Sequence, residues 1–106
     1  MSSDLSVSLL GVRMAKPWMN ASGVLADVFV QKEWSKYLGA VVTKSAGYRP
    51  RQGYETPNIC APSDDSLLNA MGLPNPGYAE ICAELDEASI GVPVVGSFYG
   101  DTAEQA

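Results

Sequence analysis

Two short, apolar, β-branched runs constrain this chain more than any other feature: Gly39-Ala40-Val41-Val42-Thr43 and Pro93-Val94-Val95-Gly96-Ser97-Phe98. Neither alternates polar with apolar residues, so neither reads as a strand with one wet face. Runs of this kind are buried on both sides, as in parallel sheets. Parallel neighbours need a crossover connection, most often a helix, and the intervening segments have that pattern. Asp27 is placed to cap a helix with a buried face of Val30, Trp34, Tyr37 and Leu38, and Gly39 follows where a helix commonly ends. Tyr78, Ile81, Cys82, Leu85 and Ala88 recur at helical spacing before Gly91 breaks the pattern. Upstream, Leu5, Val7 and Leu9 alternate with serines, Gly11-Val12 can turn, and Met14 to Met19 runs back towards Asn20, which reads as a hairpin.

After the hairpin the order is strand, helix, strand, helix, strand, with a long loop from about Ala46 to Gly77 before the second helix. Asp101-Thr102-Ala103-Glu104 has the form of a capping box, so a third helix is expected to begin there and to be cut off at Ala106. Alternating strands and helices specify a parallel α/β architecture, and such a sheet must be covered on both faces or closed. A complete (β/α)8 barrel takes about 250 residues. The chain, with 106, is therefore expected to be the N-terminal part of a TIM barrel preceded by a β-hairpin, one partial domain over residues 1–106, truncated. A small complete α/β domain is the alternative.

Composition narrows the function. The formal charge is −5 and the basic residues form no cluster, which argues against nucleic acid and anionic membranes as partners. No apolar run approaches the roughly 20 residues of a spanning helix, and the N-terminus lacks a secretory pattern, so the expected location is cytoplasmic. Cys60 and Cys82 have neither metal spacing nor a disulfide-rich context; both read as structural, Cys82 on the apolar helix face. There is no histidine, which removes the commonest general base and metal ligand.

In parallel barrels the chemistry sits at the C-terminal ends of the strands and in the loops after them. Those places hold Asn20-Ala21-Ser22-Gly23, Thr43-Lys44-Ser45, the loop stretch Leu68-Asn69-Ala70-Met71-Gly72-Leu73-Pro74-Asn75-Pro76-Gly77, and Gly96-Ser97-Phe98-Tyr99-Gly100. Lys44 follows an apolar strand and is drawn out of bulk water, although a lone strand-end lysine also suits a snorkelling surface cation. Asn69 suits either ligand recognition or a turn that its own side chain caps. Met71 and Leu73 ask for burial in a stretch that otherwise has turn chemistry, which is what a loop that packs and presents polar groups needs. Arg49 and Arg51 suit an anion site, although solvated loop charges are the preferred reading.

With Asn20-Ala21-Ser22-Gly23, Gly39 to Ser45, Arg51-Gln52-Gly53 and above all the stretch from Leu68 to Gly77, the chain resembles the N-terminal part of the dihydroorotate dehydrogenases over nearly its whole length. It is similar to the soluble class, since the barrel pattern begins near residue 1. It departs from a common pattern in Asn58, where an arginine often follows the proline, and in Gln52-Gly53-Tyr54, where Gly-Asn is frequent. The resemblance implies an FMN-bearing barrel that oxidises dihydroorotate to orotate in pyrimidine synthesis. It implies Ala21, Ser22, Gly23, Lys44 and Ser45 beside the flavin, and Lys44, Asn69, Met71, Gly72 and Leu73 around the substrate. The proton-abstracting base, a cysteine in the soluble class, is expected beyond Ala106. A homo-oligomer is implied, with an iron–sulfur flavoprotein electron-transfer subunit as a candidate partner. Two other readings stay open: another FMN barrel, such as a dihydropyrimidine or dihydrouridine oxidoreductase, and a small non-enzymatic α/β module.

Overall fold

The computed structural model describes residues 3–105. Strands β1 (Val7–Leu9) and β2 (Val12–Met14) pair antiparallel, with Val7 opposite Met14 and Leu9 opposite Val12. The turn is Leu10-Gly11, at φ 51° and 80°, since two-residue hairpin loops need positive φ to match strand twist. It lies one residue before the expected Gly11-Val12, and the returning strand is Val12–Met14 and not Met14 to Met19, because Met19 instead bridges Ala40 in the parallel sheet.

Helix α1 (Val28–Trp34) starts as expected at Asp27, whose carboxylate accepts from the N–H groups of Phe29 at 2.8 Å and Val30 at 3.2 Å. It ends at Trp34 in a short 3-10 turn, Ser35–Tyr37. Gly39 caps no helix, and its need for glycine is one of space: a β-carbon there would collide with the Lys16 carbonyl oxygen. Its N–H donates to the Trp18 carbonyl at 2.9 Å, and the Trp18 indole N–H donates to the Tyr37 carbonyl. These contacts fasten the segment after the hairpin to the end of the helix. Then come β3 (Val41–Val42), an antiparallel pair β4 (Ile59–Ser63) and β5 (Ser66–Asn69), helix α2 (Tyr78–Ala88) and β6 (Val94–Val95). Helix α2 closes on Ser89 in the left-handed region, before Gly91 is reached.

Parallel pairing follows chain order. Met19 bridges Ala40, Val41 and Val42 face Val94 and Val95, and Ala46 bridges Phe98. Helices α1 and α2 pack against each other. A hairpin followed by successive parallel strands and crossover helices is the opening of a (β/α)8 barrel, and within the described residues the sheet does not close.

The long loop proves to be a ribbon. Arg51 and Asn75 exchange both backbone hydrogen bonds, Tyr54 N–H donates to the Met71 carbonyl, Ala70 N–H to the Asn58 carbonyl, and the pairing runs on into β4 and β5. Leu68 and Asn69 thus belong to a strand. The residues from Asp101 to Gln105 form turns and no α-helix; the Gln105 side chain accepts from the Asp101 N–H at 3.2 Å, and Ala106 lies outside the described residues.

Burial departs furthest from expectation. On α1 the buried residues are Val28 and Gln31, while Val30, Trp34 and Tyr37 are exposed; on α2 Ile81 and Ala88 are buried and Cys82 is exposed. Cys60 is exposed on β4. Val94, Val95 and Phe98 are exposed in the strand expected to be covered on both sides. The Cα radius of gyration is 16.1 Å, against about 13 Å for a compact 100-residue domain. Exposed apolar strands and an extended shape are what an open section of a barrel wall presents. Among the described residues no helix is long and apolar enough to cross a membrane.

Candidate active site

The ends of the parallel strands are cross-linked by small polar side chains. Asn20 acts as a surrogate backbone: its carboxamide accepts from the Val42 N–H and donates to the Val42 carbonyl, both at 2.9 Å. Ser22 donates to the Thr43 carbonyl at 2.9 Å and lies 3.2 Å from the Ser45 hydroxyl, which lies 2.7 Å from that of Ser97. Each hydroxyl has one proton. Because that of Ser22 goes to Thr43, Ser45 must donate to Ser22 and Ser97 to Ser45, which leaves lone pairs of Ser97 free to accept. The Thr43 hydroxyl accepts from the Ser97 N–H at 3.0 Å. Ser22, Ser45 and Ser97, each at the end of a different strand, thus form one directed chain.

Beside this chain the first strand ends in Gly23, at φ 86°. A β-carbon on Gly23 would lie 3.5 Å from Lys44 Nζ and 3.8 Å from its Cδ, so the missing side chain keeps the space next to the ammonium open. Lys44 and Ser45 are half-buried, as is Gly23, while Ala21 and Ser22 are exposed.

Lys44 also forms a wall of a cavity of about 380 Å³, which Asn69, Met71, Gly72 and Leu73 line together with Arg51 and Tyr54. All of the residues expected around the substrate therefore meet in one cavity, and Lys44 joins them to the group after the first strand. Met71 and Leu73 are exposed, contrary to the expectation of burial. The Asn69 carboxamide makes no hydrogen bond among the described residues, so it staples no turn. The N–H groups of Met71, Gly72 and Leu73 likewise donate to no described group, while Gly72 and Leu73 hold φ at 80° and 54°. A leucine in the left-handed region is uncommon and marks a held conformation. Arg51 is half-buried, lines the cavity and lies 3.5 Å from the Asp101 carboxylate, so it is more than a solvated loop charge.

Asn75 carries the stretch, and the sequence reading passed over it. It is 8% exposed. Its Oδ1 accepts from Gly47 N–H at 3.1 Å and Gly77 N–H at 2.8 Å, and its Nδ2 donates to the Leu73 carbonyl and the Tyr99 hydroxyl, both at 2.9 Å. The available signal was an asparagine between two prolines, which disfavour helix and leave the backbone short of N–H donors on either side of it.

The family model described as dihydroorotate dehydrogenase matches residues 4–105. The chain is 39% identical over 103 residues to a dihydroorotate dehydrogenase B (NAD(+)), catalytic subunit, of Pyrococcus abyssi, a match covering 95% of this chain and 34% of that protein. A subunit of the same name from Thermoplasma volcanium is 40% identical over 106 residues, covering 97% and 35%. Ligand-free DHODH from Eimeria tenella superposes with a TM-score of 0.75 at 20% identity, over 96% of this chain and 32% of that one. The chain thus spans about a third of the length of the curated relatives it matches. On the family match and these identities, the chain belongs to the dihydroorotate dehydrogenase family.

Proposed function

We propose that this chain forms part of the flavin and substrate site of an enzyme that oxidises dihydroorotate to orotate in pyrimidine synthesis. The observation that carries this reading is the single cavity that Lys44 lines together with Asn69, Met71, Gly72 and Leu73. A cation, an amide and three N–H groups without a partner among the described residues, gathered around one cavity, suit a planar heterocycle that bears a carboxylate. A dihydropyrimidine without the carboxylate gives that cation nothing to pair with.

The residues after the first strand fit a flavin. Ala21, Ser22 and Gly23 have no side chain larger than a hydroxymethyl, and the place a Gly23 β-carbon would fill is open beside Lys44. Ala21, Ser22, Gly23, Lys44 and Ser45 would hold FMN, which when bound supplies the acceptor for the hydride leaving C6 of the substrate. Lys44 pairs with the substrate carboxylate and stabilises negative charge that develops beside it, an effect that grows as water is excluded. Asn69 offers a donor and an acceptor to a ring edge that shows both. The N–H groups of Met71, Gly72 and Leu73 receive the carboxylate. The base that takes the C5 proton lies outside this chain; Cys60 is not among the residues lining the Lys44 cavity.

The relatives' names support a class B catalytic subunit that passes electrons towards NAD(+). On this reading the enzyme is a cytoplasmic homo-oligomer with an iron–sulfur flavoprotein partner. Orotate formation from dihydroorotate by the full-length protein, with an artificial electron acceptor, tests the proposal. Flavin-loaded protein that forms no orotate would refute it.

A further inference from the structure

Asn75 lies one proline beyond Leu73 and does not line the Lys44 cavity, yet every polar atom it has is engaged. Its backbone N–H and carbonyl both pair with Arg51. Its side chain ties together four segments: Gly47 after β3, Gly77 at the start of α2, Leu73 in the cavity wall and Tyr99 after β6. Its orientation is not ambiguous. Two N–H groups face Oδ1 and a carbonyl faces Nδ2, so only one amide placement satisfies all of them.

The bond to Leu73 is the one with a consequence for ligand binding. Pro74 has no N–H, so the only polar handle on the Leu73–Pro74 peptide is the Leu73 carbonyl, and Asn75 Nδ2 holds it at 2.9 Å. Holding that peptide plane fixes Leu73 on its C-terminal side, while φ of 54° fixes it on the other. The direction of the Leu73 N–H follows from these two constraints. Tyr99 in turn buttresses Asn75: its hydroxyl accepts the second Nδ2 proton, its N–H donates to the Ala46 carbonyl at 3.1 Å, and its ring lies 2.7 Å from where a Gly47 β-carbon would stand. The end of β6 is thereby coupled to the cavity wall through one side chain.

We infer that Asn75 is a positioning residue for the substrate anion, acting through the Leu73 peptide, and that the Tyr99 hydroxyl helps to hold the side chain in place. The inference rests on the proposed function, since it concerns the same N–H groups. It makes Asn75 replaceable by nothing isosteric: an aspartate would set a carboxylate against the Leu73 carbonyl and lose both donors.

The test uses the full-length, flavin-loaded protein with Asn75→Asp and Tyr99→Phe, read by orotate titration of the flavin spectrum, by steady-state kinetics and by a ligand-free melt. Asn75→Asp is expected to raise the orotate Kd and the dihydroorotate KM by roughly tenfold or more with kcat nearly unchanged, the signature of lost uniform binding. Part of that loss should return as the pH is lowered, because a protonated carboxyl regains one donor. Tyr99→Phe removes one hydrogen bond and keeps the ring, so a rise of about threefold to tenfold in Kd without a lower melting temperature is expected. A lower melting temperature and lower kcat with Kd and KM unchanged would make Asn75 merely structural and overturn the inference. If Asn75→Asp does not fold, Tyr99→Phe decides alone, and an unchanged Kd there overturns it. Wild-type protein that binds no orotate would sink the proposed function itself, and this inference with it.

Discussion

Gly23 and Lys44 meet across the ends of neighbouring parallel strands, the place of a glycine β-carbon lying 3.5 Å from the lysine Nζ. Lys44 therefore borders the place a Gly23 side chain would take and also lines the Asn69–Leu73 cavity. A surface cation would need neither neighbour. Lys44→Ala in the full-length protein is expected to slow flavin reduction by dihydroorotate and to weaken orotate binding, with the ligand-free melting temperature within a degree or two of wild type, as for a surface substitution. Stopped-flow reduction at the wild-type rate would restore the surface-lysine reading.

Asn69 and Asn75 stand six positions apart in one stretch and have opposite structural characters. Asn75 is saturated with hydrogen bonds, while the exposed Asn69 is free to meet a ligand. Asn69→Leu should leave the polar edge of the bound ring without a partner, which costs about 1 to 3 kcal/mol, or roughly 10- to 100-fold in orotate affinity. The ligand-free melt should not change. A lowered melting temperature with unchanged affinity would reverse the assignment.

The exposed apolar strand β6 pairs only with β3 and its continuation among the described residues, and open apolar edges recruit other chains. The 106-residue chain expressed alone should be oligomeric or lack a cooperative melt, and should not oxidise dihydroorotate. Sedimentation of a monomer with a sharp two-state transition would show that this section of barrel wall is self-sufficient.

Partial burial holds the Glu84 carboxyl on α2 above its ordinary value of 4.5, with Glu80, Asp27 and Glu87 adding repulsion. A carboxyl whose folded pKa is raised favours folding when protonated, and that contribution is lost as pH rises through the folded pKa. Glu84→Gln should therefore raise the melting temperature at neutral pH, with the gain shrinking as pH falls towards 4.5 and below. Thermal melts at several pH values check this; a gain that grows on acidification would contradict it.

Local signals in the sequence were reliable where the physics was local. Asp27 starts α1, the first hairpin exists with its turn one residue from expectation although its returning strand is Val12–Met14 and not Met14 to Met19, and the two apolar runs pair in parallel. The cavity residues were legible because strand ends and the loops after them gather at one mouth. The faces of α1 were not: periodicity marks an apolar stripe, but Val28 and Gln31 are buried because they lie where α1 meets its neighbours, and Trp34 and Tyr37 are left outside. The ribbon from 51 to 75 was hidden because its glycines and prolines mimic an unstructured loop, and its pairing is cross-chain. Asn75 was hidden for the same reason, since its partners Gly47 and Tyr99 lie 28 and 24 positions away. At Asp101 a capping-box pattern gives only a turn in which the Gln105 side chain reaches back.

On the proposed function, Lys44 and the Asn69–Leu73 stretch read a pyrimidine by its carboxylate. The most direct measurement is anaerobic mixing of the full-length, flavin-loaded protein with dihydroorotate and, separately, with dihydrouracil, which lacks that group, while the flavin absorbance is followed. The account predicts prompt bleaching by dihydroorotate and little or none by dihydrouracil. Equal bleaching by both, or bleaching by dihydrouracil alone, would contradict it.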